Sequence, residues 1–302
     1  MNPFRHEALP YAGRDEFAPS CVSLLEQGLA NDERPLLLAE SGKLDDVRDA
    51  LGAQADDVTF VSTDEHGRNP SRITTMLHSF HAAGDGRHAL GVKETALVGR
   101  SPAAQAEARL ADLALNEPEL RSWPLSIVCL YDTRVLAEPD LDAMYASHSV
   151  IRGETPPNSR FRPELAATMH ASALDDPPPS AQHLRVRSGR LMELRALVRA
   201  RADQWRVAPD RADDLVLAVN EVVTNSLRHG GGTADVAVWA DRGVMICEVR
   251  DRGHIADVLT GRFAPPPSAT SGRGLWLVNQ LCDLVQLRSS ADGTVVRMHV
   301  DC

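Results

Sequence analysis

The sequence predicts an α/β protein built as two domains, a mostly parallel α/β layer in the N-terminal half and a two-layer α/β sandwich at the C-terminal end. Three observations carry this. From Phe17 to Ser147 short apolar runs alternate with helix-period segments, the pattern of strands joined by crossover helices. Residues 153–180 change character, with Pro156-Pro157 and Pro177-Pro178-Pro179 set among turn residues, which reads as a semi-rigid spacer with a short helical piece inside it. Beyond it, two helices precede a hairpin, a further helix and two more strands. At 302 residues the chain is long enough for two cores. The expected boundaries are 1–152, 153–180 and 181–302.

In the first half, Phe17, Cys21, Leu24, Leu25 and Leu29 mark a helix, and Pro35–Glu40 is a short buried strand. A helix follows over Ser41–Leu51, a strand over Val58–Val61 and a loop over Asp64–Pro70. Ser71–Phe80 is helical, Ala89–Val92 extended, and Ser101–Leu115 helical again. Leu125–Tyr131 is the best strand of this half, with Glu138–Ser147 as the helix after it. Ala39-Glu40-Ser41-Gly42-Lys43-Leu44 has the look of a phosphate loop but fails the pattern. Its first glycine would fall on Leu37, and Leu44 stands where a Ser or Thr is needed. Gly42-Lys43 is therefore read as a strand-to-helix turn.

In the second half, His183–Arg187 reads as an edge strand and Gly189–Arg201 as an amphipathic helix. Pro209 suits the first turn of a longer helix, whose apolar stripe is Leu215, Val216, Val219, Val222, Val223 and Leu227, with His229 and Gly230 closing it. Glu221 and Asn225 are out of place near such a stripe. Four residues apart, they lie one turn above the other, and Arg228 continues the line. Ala234–Ala240 and Val244–Val249 form a hairpin about Asp241-Arg242-Gly243, leading into Asp251-Arg252-Gly253. A long proline-rich loop, 255–271, then opens onto Gly272-Arg273-Gly274-Leu275 and a helix. Strands at 284–288 and 294–300, the latter after Gly293-Thr294, finish the sandwich.

Glu-x-x-x-Asn, Asp-x-Gly, Gly-x-Gly-Leu and Gly-Thr, in that order, resemble the GHKL ATPase superfamily (gyrase, Hsp90, histidine-kinase and MutL-type ATPases). Within it the likeness is to the small anti-sigma-factor serine kinases, over roughly Ala181–Cys302. The resemblance implies the Bergerat ATP-binding fold, with ATP and Mg²⁺ as cofactors. Asn225 is the implied Mg²⁺ ligand, a neutral oxygen donor suited to a hard cation. Glu221 is the implied catalytic residue, a base or orienting group for the attacking hydroxyl. Asp251 would accept from the adenine amine, with Gly253 leaving room for the base. Gly272 and Gly274 would let backbone N–H groups approach phosphate at the positive end of the helix that Leu275 opens. Arg273 and Arg262 would pair with phosphates, and Thr294 would support the adenine-binding carboxylate. The 255–271 loop sits where the family's ATP lid lies.

Residues 5–152 are similar to MEDS sensory domains, named for methanogens and methylotrophs, on His6 before Tyr11, Cys129-Leu130-Tyr131-Asp132 and His148-Ser149-Val150-Ile151. That likeness implies a small-molecule signal of unknown identity. His6, Cys129 and His148 themselves are read as packing and capping residues, because no spacing marks them as metal ligands.

A net charge of −10 argues against direct nucleic-acid binding and suits a protein partner with a basic patch. Five scattered cysteines without a C-x-x-C pair, no apolar leader and no 18-residue apolar run point to reduced thiols, no membrane and the cytoplasm. The resemblance implies an anti-sigma factor that is also a serine/threonine kinase, with an anti-anti-sigma (STAS-type) protein and a sigma factor as partners, and a homodimer. Two rivals stand beside it. A sensor histidine kinase needs a phosphoaccepting histidine, for which His170 and His183 are available though neither lies in a His-box. A module that sequesters a sigma factor without turnover would have no need of Glu221, Asn225 and Asp251.

Overall fold

A computed structural model describes residues 4–66, 68–95, 99–265 and 272–302. The chain divides into two compact units, Met1–Leu165 and Ala166–Cys302.

The first unit runs β1 (Arg5–Tyr11), α1 (Arg14–Ala30), β2 (Arg34–Ala39), α2 (Ser41–Leu51), β3 (Thr59–Ser62), α3 (Thr63–His66), α4 (Pro70–Ala82), β4 (Ala89–Glu94), α5 (Pro102–Ala114), β5 (Leu125–Asp132), α6 (Glu138–Ser147) and β6 (Val150–Ile151). Its six strands pair in the order β3-β2-β4-β5-β1-β6, every neighbour parallel. Parallel sheets need cover on both faces, which is why β2, β4 and β5 are buried almost end to end. On one face Phe17, Cys21, Leu25, Val47 and Leu51 of α1 and α2 pack on Leu37, Val92, Val128 and Leu130.

Two strands escape the sequence reading. β1 is a central strand, yet Arg-His-Glu-Ala-Leu-Pro-Tyr has no β-branched residue and carries a proline. It is extended because β5 and β6 flank it in register, Ala8 opposite both Cys129 and Ile151. β6 has only two residues. The stretch expected as a loop before Pro70 begins with the short helix α3. Lys43, on the rejected phosphate loop, is held by Glu94, which also accepts from the Tyr11 hydroxyl at 2.6 Å.

The second unit opens with α7 (Leu165–Ala171), whose first residue belongs to the other unit. It contains β7 (Gln182–Arg187), α8 (Leu191–Gln204), α9 (Pro209–His229), β8 (Thr233–Asp241), β9 (Val244–Asp251), α10 (Arg273–Leu281), β10 (Leu284–Ser290) and β11 (Gly293–Asp301). The five strands form an antiparallel sheet in the order β10-β11-β9-β8-β7, with β7 at an edge as expected. The β8–β9 turn has positive φ at both Arg242 and Gly243, the twist a two-residue hairpin needs. Strand alternation divides the sheet. Val236, Val238, Met245, Cys247, Val249, Val296 and Met298 face α8, α9 and α10. The other face carries Ala237, Trp239 and Ile246, covered by Ala181. Asp175 and Asp176, read in the sequence as spacer, lie with Ala181 against that outer face. Arg297 donates to the Asp175 carbonyl at 2.5 Å and Arg250 pairs with Asp176 at 3.2 Å.

His299 on β11 is burdened by burial first and by Arg297 second, which together pull its pKa from 6.5 down to about 4. The unfolded chain therefore binds a proton between about pH 6.5 and 4 that the folded chain does not, so stability falls as the pH falls through that window. We expect the urea midpoint of the wild type to drop across it, and His299→Gln, which keeps a polar partner for Gln286, to flatten part of that drop. An acid limb unchanged by the substitution would remove His299 from the account.

Candidate functional site

The site grows from α9. Its buried stripe of Ala212, Leu215, Ala218, Val219, Val222 and Val223 fixes the helix on the sheet, and the half-buried flank beside it carries Glu221 and Asn225. The sequence places these two on one line, and the structure supplies what they face. A Cβ built on Gly274, in the first turn of α10, would stand 3.1 Å from both Glu221 Oε2 and Asn225 Nδ2. Only a residue without a side chain leaves that approach open. Gly272 precedes α10 in the left-handed region, at φ 87° and ψ −1°. Arg273 is exposed at the helix start and Leu275 half-buried behind it.

At the far end of α9 sits Asp251, the last residue of β9. Its carboxylate accepts from the Ser226 hydroxyl at 2.5 Å and from the Gly253 N–H at 2.6 Å. Gly230 closes α9 directly behind it, so that a Cβ there would lie 2.5 Å from Asp251 Oδ1. The Arg252 N–H donates to the Gly230 carbonyl at 3.1 Å. Helix end and strand end are thus sewn together around one carboxylate.

Thr294 lies opposite Asp251 in the β9–β11 ladder. Its hydroxyl donates to the Gly253 carbonyl at 2.9 Å and so braces the turn that holds the carboxylate, not the carboxylate itself. Ser289 stands 2.9 Å from Thr294 and accepts from the Ile255 N–H at 2.8 Å. Because the Thr294 proton is committed to Gly253, the relay has one direction, Ile255 N–H to Ser289 to Thr294 to the Gly253 carbonyl. The Ile255 carbonyl in turn accepts from His170 Nε2 of α7 at 2.7 Å.

The loop after Ile255 is anchored as far as it is described. Val258 and Leu259 are buried, Asp257 accepts from the Leu259 N–H, and Asn279 of α10 donates to the Gly261 carbonyl at 3.1 Å. Arg262 is buried with its Nε donating to the Val258 carbonyl at 3.0 Å, within the loop's own fold. Pro266 to Ser271, the C-terminal end of the expected lid, lie outside the described residues. Arg228 and His229 are exposed at the end of α9.

The sequence reading missed Ser226 and understated Gly230. The signal for Ser226 was present: a hydroxyl four residues after Val222 falls on the buried stripe and must find a partner.

Comparison with known proteins places this geometry. Residues 184–300 match the family described as histidine kinase-like ATPase domain. Residues 5–149 match the MEDS family, the methanogen/methylotroph, DcmR sensory domain. The chain therefore joins a MEDS domain to a C-terminal ATPase domain of the GHKL type. No curated protein matches it. Among solved structures, it is similar to the RsbU and RsbW domains of Rv1364c from Mycobacterium tuberculosis. The identity is 20%, the TM-score 0.31, and the match covers 40% of this chain and 32% of that one, so the chain spans about a third of its length. Among the described residues no helix is long and apolar enough to cross a membrane.

The ATPase domain implies ATP binding, and the residues have the chemistry for it: a braced carboxylate that can accept from an amine, and glycines at a helix start whose backbone N–H groups can approach phosphate. Ser226→Ala removes one donor from the Asp251 carboxylate while leaving Gly253 in place. A hydrogen bond to a charged group contributes about 1.5–3 kcal/mol, so we expect ATP affinity to weaken by about tenfold or more, with the fold retained. Calorimetric titration checks this, and unchanged affinity would detach Ser226 from the site.

Proposed function

We propose that this protein is an anti-sigma factor with ATP-dependent serine/threonine kinase activity, which phosphorylates an anti-anti-sigma (STAS-type) partner and thereby controls which partner it holds. The observation that carries the reading is the convergence of Glu221 and Asn225 on the side-chain-free face of Gly274. An acid and a neutral oxygen donor meet there at the start of a helix, where phosphate is favoured.

In this reading Asp251, braced by Ser226 and Gly253, accepts from the exocyclic amine of adenine. Gly272 and Gly274 let the α10 backbone approach the phosphates, with Arg273 beside them. Asn225 would hold Mg²⁺ through its carboxamide oxygen, and the ion would supply charge neutralisation for the transferred phosphate. Glu221, one turn away, accepts the proton of the attacking serine hydroxyl or orients it in line. Nothing covalent is asked of the protein, since phosphoryl transfer of this kind rests on positioning and electrostatics.

The histidine-kinase alternative is not supported by its two candidate phosphoacceptors. His170 is 4% exposed and its Nε2 is engaged by the Ile255 carbonyl. His183 is exposed but sits on the edge strand β7, not on a helix. The retained Glu221, Asn225 and Asp251 speak for turnover over simple sequestration.

Full-length protein incubated with labelled ATP, Mg²⁺ and STAS-type proteins from the same organism should transfer label that is stable to acid. Asn225→Ala should reduce transfer by about a hundredfold or more, as loss of a metal contact does. Acid-labile label, or undiminished transfer by the Asn225 variant, would overturn the assignment.

A further inference from the structure

Three residues far apart in sequence meet inside the first unit. His6 lies on β1, Cys129 on the adjacent parallel strand β5, and His148 directly after α6. Their ligand atoms all lie within 4.8 Å of one another. All three are buried, His6 at 5% exposure and Cys129 and His148 at 0%.

The surroundings set the protons. Asn116 Nδ2 donates to the Ser147 carbonyl at 2.8 Å and the Leu113 carbonyl at 3.1 Å, so its Oδ1 is an acceptor. His6 Nδ1, 3.3 Å from that Oδ1, is therefore the protonated nitrogen. Its Nε2 is left with a lone pair, 3.3 Å from Cys129 Sγ. His148 Nδ1 lies 2.8 Å from the Met144 carbonyl, which has no proton to give, so this ring too carries its proton on Nδ1. Its Nε2 is a bare acceptor, buried and without a hydrogen-bond partner among the described residues. Two imidazoles with Nδ1–H tied to oxygen and Nε2 left as an acceptor, one beside the Cys129 thiol and one without a partner, is the arrangement that orients histidines toward a metal.

We propose that His6 Nε2, Cys129 Sγ and His148 Nε2 form a binding site for one thiophilic d¹⁰ cation, Zn²⁺ or Cu⁺. A thiolate with two imidazoles suits both ions and disfavours Mg²⁺ and Ca²⁺. On binding, the Cys129 S–H bond breaks, the sulfur–metal bond forms, and the proton leaves to solvent. Lys93, 6% exposed on β4, is a hydrogen-bonding cation beside Cys129 and offsets only part of the burial that holds the free sulfur as a thiol, so the metal itself displaces the proton. Lys93 is itself paired with Asp112 of α5 at 2.6 Å, and Asp112 accepts from the Tyr131 hydroxyl. The charge balance separates the two ions. With Cu⁺ the thiolate, Lys93 and Asp112 sum with the ion to zero. With Zn²⁺ one positive charge remains, which an anionic fourth ligand would neutralise. The site does not depend on the kinase reading.

The test uses untagged full-length protein in a Cys302→Ser background, which removes the exposed thiol. Co²⁺ titration of the chelator-treated protein should give a thiolate-to-cobalt charge-transfer band saturating at one ion per chain, bleached by Zn²⁺. Anaerobic competition with a Cu⁺ indicator decides between the ions. Cys129→Ser should abolish the band, and His148→Gln should weaken binding by about ten- to a hundredfold. Cys21→Ser, whose thiol lies in the α1–α2 core, should change neither. His78 and His81 flank Trp123, and an ion taken up by such imidazoles alone would show no thiolate band. If the Cys129 and His148 variants fail to fold, X-ray absorption of the zinc-loaded protein decides, with one sulfur and two imidazole nitrogens expected. No uptake of any of the three ions by folded protein, a cobalt spectrum lacking the thiolate band, or a band that survives Cys129→Ser would overturn the proposal.

Discussion

Everything in the C-terminal unit is arranged around the carboxylate of Asp251. It is fixed by Ser226 from the helix, by the Gly253 N–H from its own turn, and by the absence of a side chain at Gly230. These contacts lock the end of α9 to the end of β9, the two elements from which the rest of the site hangs. A half-buried acid held by two donors has little freedom to rotate, so its position is set before any ligand arrives. Such preorganisation is what the proposed recognition of the adenine amine requires. Gly293 takes part from the other side. Its φ of 127° and the close approach of the Asp251 carbonyl exclude a side chain there, which lets β11 run tightly beside β9 at this level.

The Asp251 turn is also the end of a longer polar chain. From His170 on α7, hydrogen bonds pass to the Ile255 carbonyl, and from the Ile255 N–H through Ser289 and Thr294 to the Gly253 carbonyl. Both backbone groups of Ile255 are satisfied by side chains, one from α7 and one from β10. The start of the long loop is therefore pinned although it belongs to no regular element. The segment that leads into the ATPase unit and the turn that positions its carboxylate share one hydrogen-bond network. Asp175 and Asp176 repeat the theme on the opposite face of the sheet, where Arg297 holds the Asp175 carbonyl and Arg250 the Asp176 carboxylate.

Much of this was legible in the sequence, for a physical reason. Helix period and strand alternation are local properties, so the α9 stripe, the hairpin and the glycine turns declared themselves, and Glu221 and Asn225 stood out against the apolar background. What the sequence hid was partnership. Nothing local says that Ser226 meets Asp251 or that Gly274 lies over Glu221 and Asn225, because each pair is set by sheet order and helix packing. Arg262 could be read as a phosphate partner until the loop's own carbonyl was seen to hold it. β1 was missed because its residues have no preference for a strand, and its conformation comes from its neighbours.

The same logic explains why the histidine–cysteine cluster was read as packing. Metal motifs are recognised when ligands fall within a few residues on one element. Here the strand order β5-β1-β6 brings Cys129, His6 and the approach to β6 side by side from opposite ends of the unit. A core is expected to bury histidines only with both nitrogens satisfied. Two rings whose backbone and amide partners fix Nδ1 as the donor, and whose Nε2 atoms turn to a buried thiol or to no partner at all, depart from that expectation in one direction. Packing alone would be served as well by leucine or by phenylalanine. Asn116 and Ser147 also cap the ends of α5 and α6, and in doing so they and the Met144 carbonyl fix both Nδ1 protons and leave both Nε2 atoms as acceptors.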